Sequence, residues 1–489
     1  MLLFALVRRT LSASADSPGT ADLAAFAIAL IWMVHPLVTE PIDYVSQRTE
    51  LMMGAFFLAT LLSGRSTLSV LCCALGMACK ETMVVAPLVV MLYDRAFRFE
   101  SFGAAFRQHG RYYAALCATW IVLAALMWSA PRGDSAGFAG ASVSPWDYLL
   151  NQSTMIVRYL RLAFWPRDLV LDYGEPSHVT FAEVAPYFII VAGLVVATVV
   201  AWTRKPALGF LGAWFFLTLA PTSSILPIST EVGAERRMYL PLMAVVVAVV
   251  APVARAFTAR VAAAAAMSVA ALLAVATYQR NAEYRSGLTL WQTVLNRWPP
   301  HARAHRNLAA ELKLANRPNE EIAHLRAAVQ DLPEIRNMLG LELLALGRNE
   351  EAATELQTYV RDNPRDADAW ANLGNALSAL GHNDEALHAY ERAVAVDGNN
   401  GLAQRNLALH YLQQNDFGNA VAHGREAVRL TPDDPDAHNL LGLALVGEQH
   451  LDEAIAEFRR SLAIQPDNND ASGYLERSLR GRDSLRNPK

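Results

Sequence analysis

The chain runs to 489 residues, more than a single domain of ~100–200 residues requires. A net charge near −4 excludes a polybasic partner of nucleic acid or of an anionic membrane surface. A hydrophobic content of 53% and a mean hydropathy of +0.19 point to lipid. The average conceals two halves. Residues 1–277 carry a net charge of +3 and are about 13% charged, whereas residues 278–489 carry −7 and are about 25% charged, the ordinary soluble value. Cys72, Cys73, Cys79 and Cys117 all fall in apolar stretches of the first half without CxxC spacing. They read as buried small hydrophobes, with no metal site.

A hydrocarbon core of ~30 Å needs about 17–25 apolar residues in helix. Segments 21–38, 112–130, 183–203, 206–222, 237–254 and 260–277 meet that length, and 50–63, 66–79 and 83–94 are shorter. With Leu2–Val7, which ends in Arg8-Arg9 as the cytoplasmic end of a span does, they predict a polytopic helix bundle of about 9–10 apolar segments. The first of these is truncated, so an upstream helix and loop are expected. Short loops holding Arg65, Arg95, Arg98, Arg107, Arg111, Arg204, Lys205, Arg255 and Arg260 recur on alternate turns. By the positive-inside rule these are cytoplasmic. Loops bearing Glu40, Asp43, Arg48 and Glu50, then Lys80 and Glu81, then 131–182, then Glu231 to Arg237 face the other compartment, and so does everything after Tyr278. Within the long loop, Met155, Ile156, Tyr159, Leu160 and Ala163 share one face of a helix over 151–165. That is the pattern of an interfacial amphipathic helix.

The second half shows a 34-residue period. Trp370, Leu373, Gly374, Ala386, Tyr390 and Ala393 occupy tetratricopeptide-repeat (TPR) positions 4, 7, 8, 20, 24 and 27. The same pattern returns at Leu407 and Ala408, at Leu441 and Gly442, and upstream at Leu339 and Gly340 and at Leu308 and Ala309. These predict five repeats over 302–480 with a polar capping helix, a linker helix over 278–301 and a polar tail over 481–489. The turn after Pro333 is three residues short of the others, so the first packing angle is expected to be irregular. Small residues at positions 8, 20 and 27 allow close helix approach, and Pro at position 32 ends each second helix. Such an array binds extended peptides on its concave face. Asn307, Asn372 and Asn406 recur at position 6 and are candidates to present amides to a peptide backbone.

Charged groups at the edge of a membrane are costly, which makes them candidates for function. Arg48, Lys80, Arg236 and Arg237 are candidates to clamp a lipid-linked phosphate, and Glu40, Glu81, Asp172 and Glu235 to orient those cations or an acceptor hydroxyl. The alternative is that Lys80 with Glu81, or Glu235 with Arg236, neutralise one another. His35-Pro36 with Thr39-Glu40, Arg48 to Leu51, Lys80-Glu81-Thr82 with Pro87 and Asp94, Leu160 to Pro166 with Leu171-Asp172-Tyr173, Pro221 to Ser224, and Ala234-Glu235-Arg236 with Tyr239 to Pro241 occur in that order before the repeats. In this combination the chain resembles the transmembrane and TPR O-mannosyltransferases, within the GT-C class of polyprenyl-phosphate-sugar glycosyltransferases.

The resemblance implies inverting transfer of a sugar, mannose favoured, from a polyprenyl-phosphate carrier to protein hydroxyls at the outer face, with the repeats docking the acceptor and no cofactor. It places the catalytic base in a first loop expected upstream of Met1. Glu40, Asp43 or Glu50 are the substitutes within the chain. The second expectation is an inactive membrane-anchored TPR scaffold. In either case the expected location is multi-pass in a membrane, a bacterial inner membrane favoured, with the repeats extracytoplasmic.

Overall fold

The computed structural model of the protein describes residues 1–12, 18–43, 48–129, 143–223, 228, 230–298 and 301–486. Tyr44, Ser224, the stretch 130–142 of the long loop and the last three residues of the tail lie outside the described residues. The described chain is all-α and divides into two compact units, Met1–Ala304 and His305–Lys489.

The first unit begins with α1 (Leu2–Ser12), α2 (Pro18–Met33), α3 (Thr39–Asp43), α4 (Arg48–Leu62), α5 (Thr67–Cys79) and α6 (Ala86–Phe97). It continues with α7 (Phe102–Ala118), α8 (Trp120–Ser129), α9 (Pro145–Phe164), α10 (Phe181–Arg204) and α11 (Pro206–Leu219). It closes with α12 (Pro241–Ala256), α13 (Ala259–Glu283) and α14 (Gly287–Arg297). Local chemistry sets many of these boundaries. Ser66, Ser101 and Ser144 accept hydrogen bonds from the backbone N–H groups of Ser69, Ala104 and Asp147 at the starts of α5, α7 and α9, each satisfying a donor the helix cannot. Pro145, Pro206 and Pro241 occupy first-turn positions, where a missing N–H costs nothing.

The apolar stretch 21–38 is not one straight helix. α2 stops at Met33, His35 takes an extended conformation before Pro36 (φ −76°, ψ 132°), and a 3-10 turn over Pro36–Val38 leads into α3, so that Pro36–Asp43 lies at 63° to Gly19–Met33. A residue preceding proline is pushed out of the helical region, which explains the break. Among the described residues, three helical stretches are long and apolar enough to cross a membrane: Phe102–Ser129, Phe181–Arg204 and Ala259–Glu283, with the bent pair as a fourth. α11 and α12, expected as full spans, have 14 and 16 residues and rise only ~21–24 Å. α10 and α13 turn large apolar side chains outward, among them Ile189, Val196, Met267 and Leu272.

The basic helix ends meet at one place. Arg9 donates to the carbonyls of Leu61 and Leu62 at 2.8 and 2.7 Å. Asp94 accepts from Arg98 at 3.0 Å and from the Tyr113 hydroxyl at 2.8 Å, with Arg65 at 3.9 Å.

The second unit is a stack of helix pairs, and the unit boundary falls inside its first helix, α15 (Ala302–Leu314). α16 (Pro318–Val329), α17 (Arg336–Ala345), α18 (Asn349–Asp362), α19 (Ala367–Ala379) and α20 (Asn383–Val396) follow. α21 (Gly401–Gln413), α22 (Phe417–Leu430), α23 (Pro435–Gly447), α24 (Leu451–Ile464) and the capping helix α25 (Asn469–Arg486) complete it.

The first helix of each pair ends on a residue in the left-handed region: Asn316, Gly347, Gly381, Asn415 and Gln449. These are 34 residues apart except the first interval, which is 31. The missing three residues are taken from α17, ten residues long and preceded by a 3-10 turn over Pro333–Ile335, where α19, α21 and α23 have 13. Inside the pairs, position 8 has no room for a side chain where it is Gly340, Gly374 or Gly442, and it holds Ala309 and Ala408 in the other two repeats. A Cβ added at Gly374 would lie 2.4 Å from the Tyr390 ring, and one at Gly442 would lie 2.6 Å from the Phe458 ring.

Candidate functional site

Among the charged candidates of the first unit, Glu40 and Arg236 face one another, while Lys80, Glu235, Arg237 and Asp172 meet other partners. The carboxylate of Glu40, on the short α3, is fully buried. It accepts from the backbone N–H of Arg236 at 2.9 Å and from its guanidinium at 2.6 Å. The other arm of Arg236 reaches Glu231 at 2.5 Å. Arg237 turns the opposite way and donates to the carbonyls of Thr222 and Glu231 at 2.8 and 3.0 Å, and to the Glu231 carboxylate at 3.4 Å. A 3-10 turn over Glu235–Met238 produces this divergence, because successive residues on so tight a helix point about a third of a turn apart.

Glu235 points a third way. It accepts from the backbone N–H of Val170 at 2.5 Å, from the Tyr173 hydroxyl at 3.1 Å and from Arg280 at 3.3 Å. Burial pushes its carboxyl up to about 7, against the pull of Arg280. Lys80 pairs with Glu50, Glu81 opens the adjoining 3-10 turn, and Arg48 is exposed at the start of α4. Arg236 and Arg237 therefore hold internal carboxylates and carbonyls. Glu235 takes Arg280 as its ionic partner, where sequence proximity had suggested Arg236.

Asp172 belongs to a separate clasp. Arg303 grips it with two bonds of 2.6 Å. The His301 ring nitrogen Nε2 stands 3.3 Å away while its Nδ1 accepts from the backbone N–H of Ala304. Burial alone would raise the Asp172 carboxyl, but the nearby His301 ring and the Arg303 guanidinium outweigh it and hold it well below the usual range. Arg297 donates to the Leu169 carbonyl at 2.7 Å, and Trp298 to the Tyr173 carbonyl at 3.0 Å. The Arg158 guanidinium lies 4.4 Å from the centre of the Trp298 ring. Arg280, Arg297, Trp298, His301 and Arg303 thus hold the loop 168–175. Sequence reasoning missed Arg280, His301 and Arg303 because their partners lie far away in the chain, and it missed Glu231 although Arg236 and Arg237 follow five and six residues later. A buried-span terminus ending in Arg280 was the one available signal.

In the second unit, α17, α19, α21 and α23 lie side by side. Asn372 donates to the side-chain oxygen of Asn337 at 3.3 Å, and Asn406 to that of Asn375 at 2.7 Å, a bond the Tyr390 hydroxyl supplements at 2.9 Å. Each of these position-6 amides is thereby tied to the preceding repeat. No repeat precedes Asn307 in the 34-residue register, and among the described residues it makes no such bond. Asn439 is the converse case: it is 8% exposed and its side-chain oxygen is buried without a partner.

A second regularity links the two helices of a pair. Positions 4 and 23 face each other as His305–His324 (2.8 Å), Arg336–Glu355 (2.7 Å), Gln404–His423 (2.8 Å) and His438–Glu457 (2.6 Å). Trp370 stands at the corresponding position of the remaining repeat.

Family models described as tetratricopeptide repeat match residues 337–380, 372–435 and 411–477. Residues 337–477 are tetratricopeptide repeats. No curated protein matches the chain. Solved structures match it at the repeats. TTC0263, a thermophilic TPR protein of Thermus thermophilus, is 22% identical, with 36% of this chain and 98% of that chain covered and a TM-score of 0.31. MamA from Desulfovibrio magneticus is 22% identical over 31% and 85% of the two chains, at 0.29. YrrB, described as a TPR protein with an unusual peptide-binding site, is 19% identical over 37% and 96%, at 0.31.

Proposed function

We propose that this protein is a membrane-anchored docking scaffold, whose first unit lies in the bilayer and whose repeats hold a segment of a partner protein. One contrast carries this reading. Glu40, Glu50, Asp172 and Glu235 of the first unit are paired with Arg236, Lys80, Arg303 and Arg280, whereas the first helices of the repeats leave Met338, Leu341 and Leu409 between 41% and 46% exposed. The outward apolar faces of α10 and α13 support the anchor, since monomeric proteins rarely expose patches of that kind to water. The gathering of Arg9, Arg65 and Arg98 at one end supports a cytoplasmic assignment for that end and an extracytoplasmic one for the repeats, with a bacterial inner membrane as the favoured setting.

A second reading keeps the GT-C resemblance: transfer of mannose from a polyprenyl-phosphate carrier to a protein hydroxyl at the outer face, the repeats docking the acceptor. What favours it is that separated motifs converge, joining Glu40 to Arg236, Glu50 to Lys80 and Glu235 to the loop of Asp172.

A photo-reactive residue in place of Met338 or Leu409 of the full chain in its native membrane tests the first reading. Discrete cross-linked partners are expected from these two positions and none from Glu350 or Glu385 on α18 and α20; equal labelling from all four contradicts it. Labelled polyprenyl-phosphate mannose supplied to the same membranes tests the second. Labelled protein appearing only when the chain is present supports transfer, and its absence removes that reading.

A further inference from the structure

The scaffold reading leaves open what kind of segment the repeats hold, and the register of the first helices narrows it. The bond from Asn406 to Asn375 shows that position 6 of one repeat touches position 9 of the repeat before it. Along α17, α19, α21 and α23, positions 6 and 9 therefore form one continuous stripe. Its centre is Asn372, Asn375 and Asn406. Met338 and Leu341 lie on one side of that centre, and Leu409, Leu440 and Leu443 on the other. No charged residue occupies any of the eight positions. The cations beside it are paired, Lys313 with Glu342 and Arg405 with Asp434.

From this stripe we infer that the repeats dock an extended, uncharged polypeptide segment carrying two apolar side chains, with its backbone against the central amides. Resting on the scaffold reading, this inference names the class of partner. Three physical arguments carry it. An amide offers both an N–H and a carbonyl, the complement of a peptide backbone. Desolvating an acidic side chain against a stripe without a cation is unfavourable, so charge matching selects a neutral segment.

The third argument is the orphaned oxygen of Asn439. Its counterpart in the second repeat, Asn337, accepts an N–H from position 6 of the following repeat. In α25 that place is taken by Tyr474, which has no amide to give. A buried acceptor without a partner is unfavourable, and a ligand N–H entering beside Leu440 relieves it. Spacing follows as well. Neighbouring helix axes lie ~8–10 Å apart, so the two apolar flanks are ~20 Å apart, about six residues of extended chain at ~3.3 Å each.

The test measures fluorescence anisotropy of labelled peptides on the full chain in nanodiscs. One series has Leu at two positions about six residues apart in a Ser/Asn background. The matched series replaces both Leu by Glu. The neutral series should bind at least about tenfold more tightly, with less than about a twofold change as salt is raised. Met338→Glu combined with Leu409→Glu, both at exposed positions, should remove that binding while circular dichroism stays unchanged. Tighter, salt-sensitive binding of the acidic series overturns the inference and leaves the scaffold standing. Binding of the neutral series that is indifferent to the double substitution also overturns it. Failure of both series, together with no cross-linking at Met338, overturns the scaffold reading with it.

Discussion

Replacing Arg236 by Ala separates a structural from a ligand-binding role for the charged cluster. The substitution leaves Glu40, fully buried, with only the backbone N–H of residue 236 at 2.9 Å, and strips Glu231 of its 2.5 Å partner. Removing one member of a buried pair typically costs about 3–5 kcal/mol, because the other charge is left uncompensated. The retained backbone bond places the expectation toward the lower end, about 3 kcal/mol. Removing both charges with Glu40→Gln and Arg236→Met should restore most of that loss, since a buried pair adds little beyond a neutral replacement. Equilibrium unfolding of the full chain in mixed micelles, run as a double-mutant cycle, measures the coupling. Single and double variants unfolding together with the parent would refute the reasoning, and would return Arg236 to the role of a phosphate ligand.

Three further outcomes follow from the repeats. Gly374→Ala should destabilise the array by about 1–3 kcal/mol, as overpacking against the Tyr390 ring does; Gly398→Ala, whose nearest neighbour is 3.9 Å away, serves as the control in the same thermal melt. Gln449→Gly should raise stability by about 1 kcal/mol, because a φ of 63° is strained for any residue with a Cβ; an unchanged melting temperature contradicts it. Acidification should weaken the array. Burial lowers the imidazoles of His324, facing Glu320 and bonded to His305, and of His423, facing Glu391 and bonded to Gln404, below their ordinary 6.5. Their contribution is complete above 6.5 and is lost as pH falls through the lower folded-state values. His324→Asn with His423→Asn should flatten that decline between about pH 7 and pH 5.

The periodic part of this fold was readable because its determinants are local. Gly374 and Tyr390 stand sixteen residues apart within one repeat, and the three-residue deficit after Pro333 reappears as a shortened α17. The first unit was readable only in outline. Hydropathy marks 21–38 as one apolar segment, and the bend at His35-Pro36 depends on a proline whose effect overrides it. Hydropathy also runs beyond the end of α11 at Leu219, and it begins ahead of Pro241, which sets the start of α12.

Among the candidate site residues, the sequence reading expects Glu40, Asp172, Glu235 and Arg236 on one side of the first unit but does not show their pairings. Glu40 meets Arg236 across 196 residues, and Asp172 meets Arg303 across 131, separations that no local pattern encodes. The amides of Asn372 and Asn406 were visible as a repeat in sequence. Their bonds to Asn337 and Asn375 emerge only once the helices are stacked.

Hydrogen–deuterium exchange on the full chain in nanodiscs, with and without a bound neutral peptide, addresses the docking surface most directly. The account predicts added protection in α17, α19, α21 and α23 around Met338, Asn372, Asn406 and Leu440, with α18, α20 and α22 unchanged. Protection confined to α18, α20 and α22, or to residues 1–304, would contradict it.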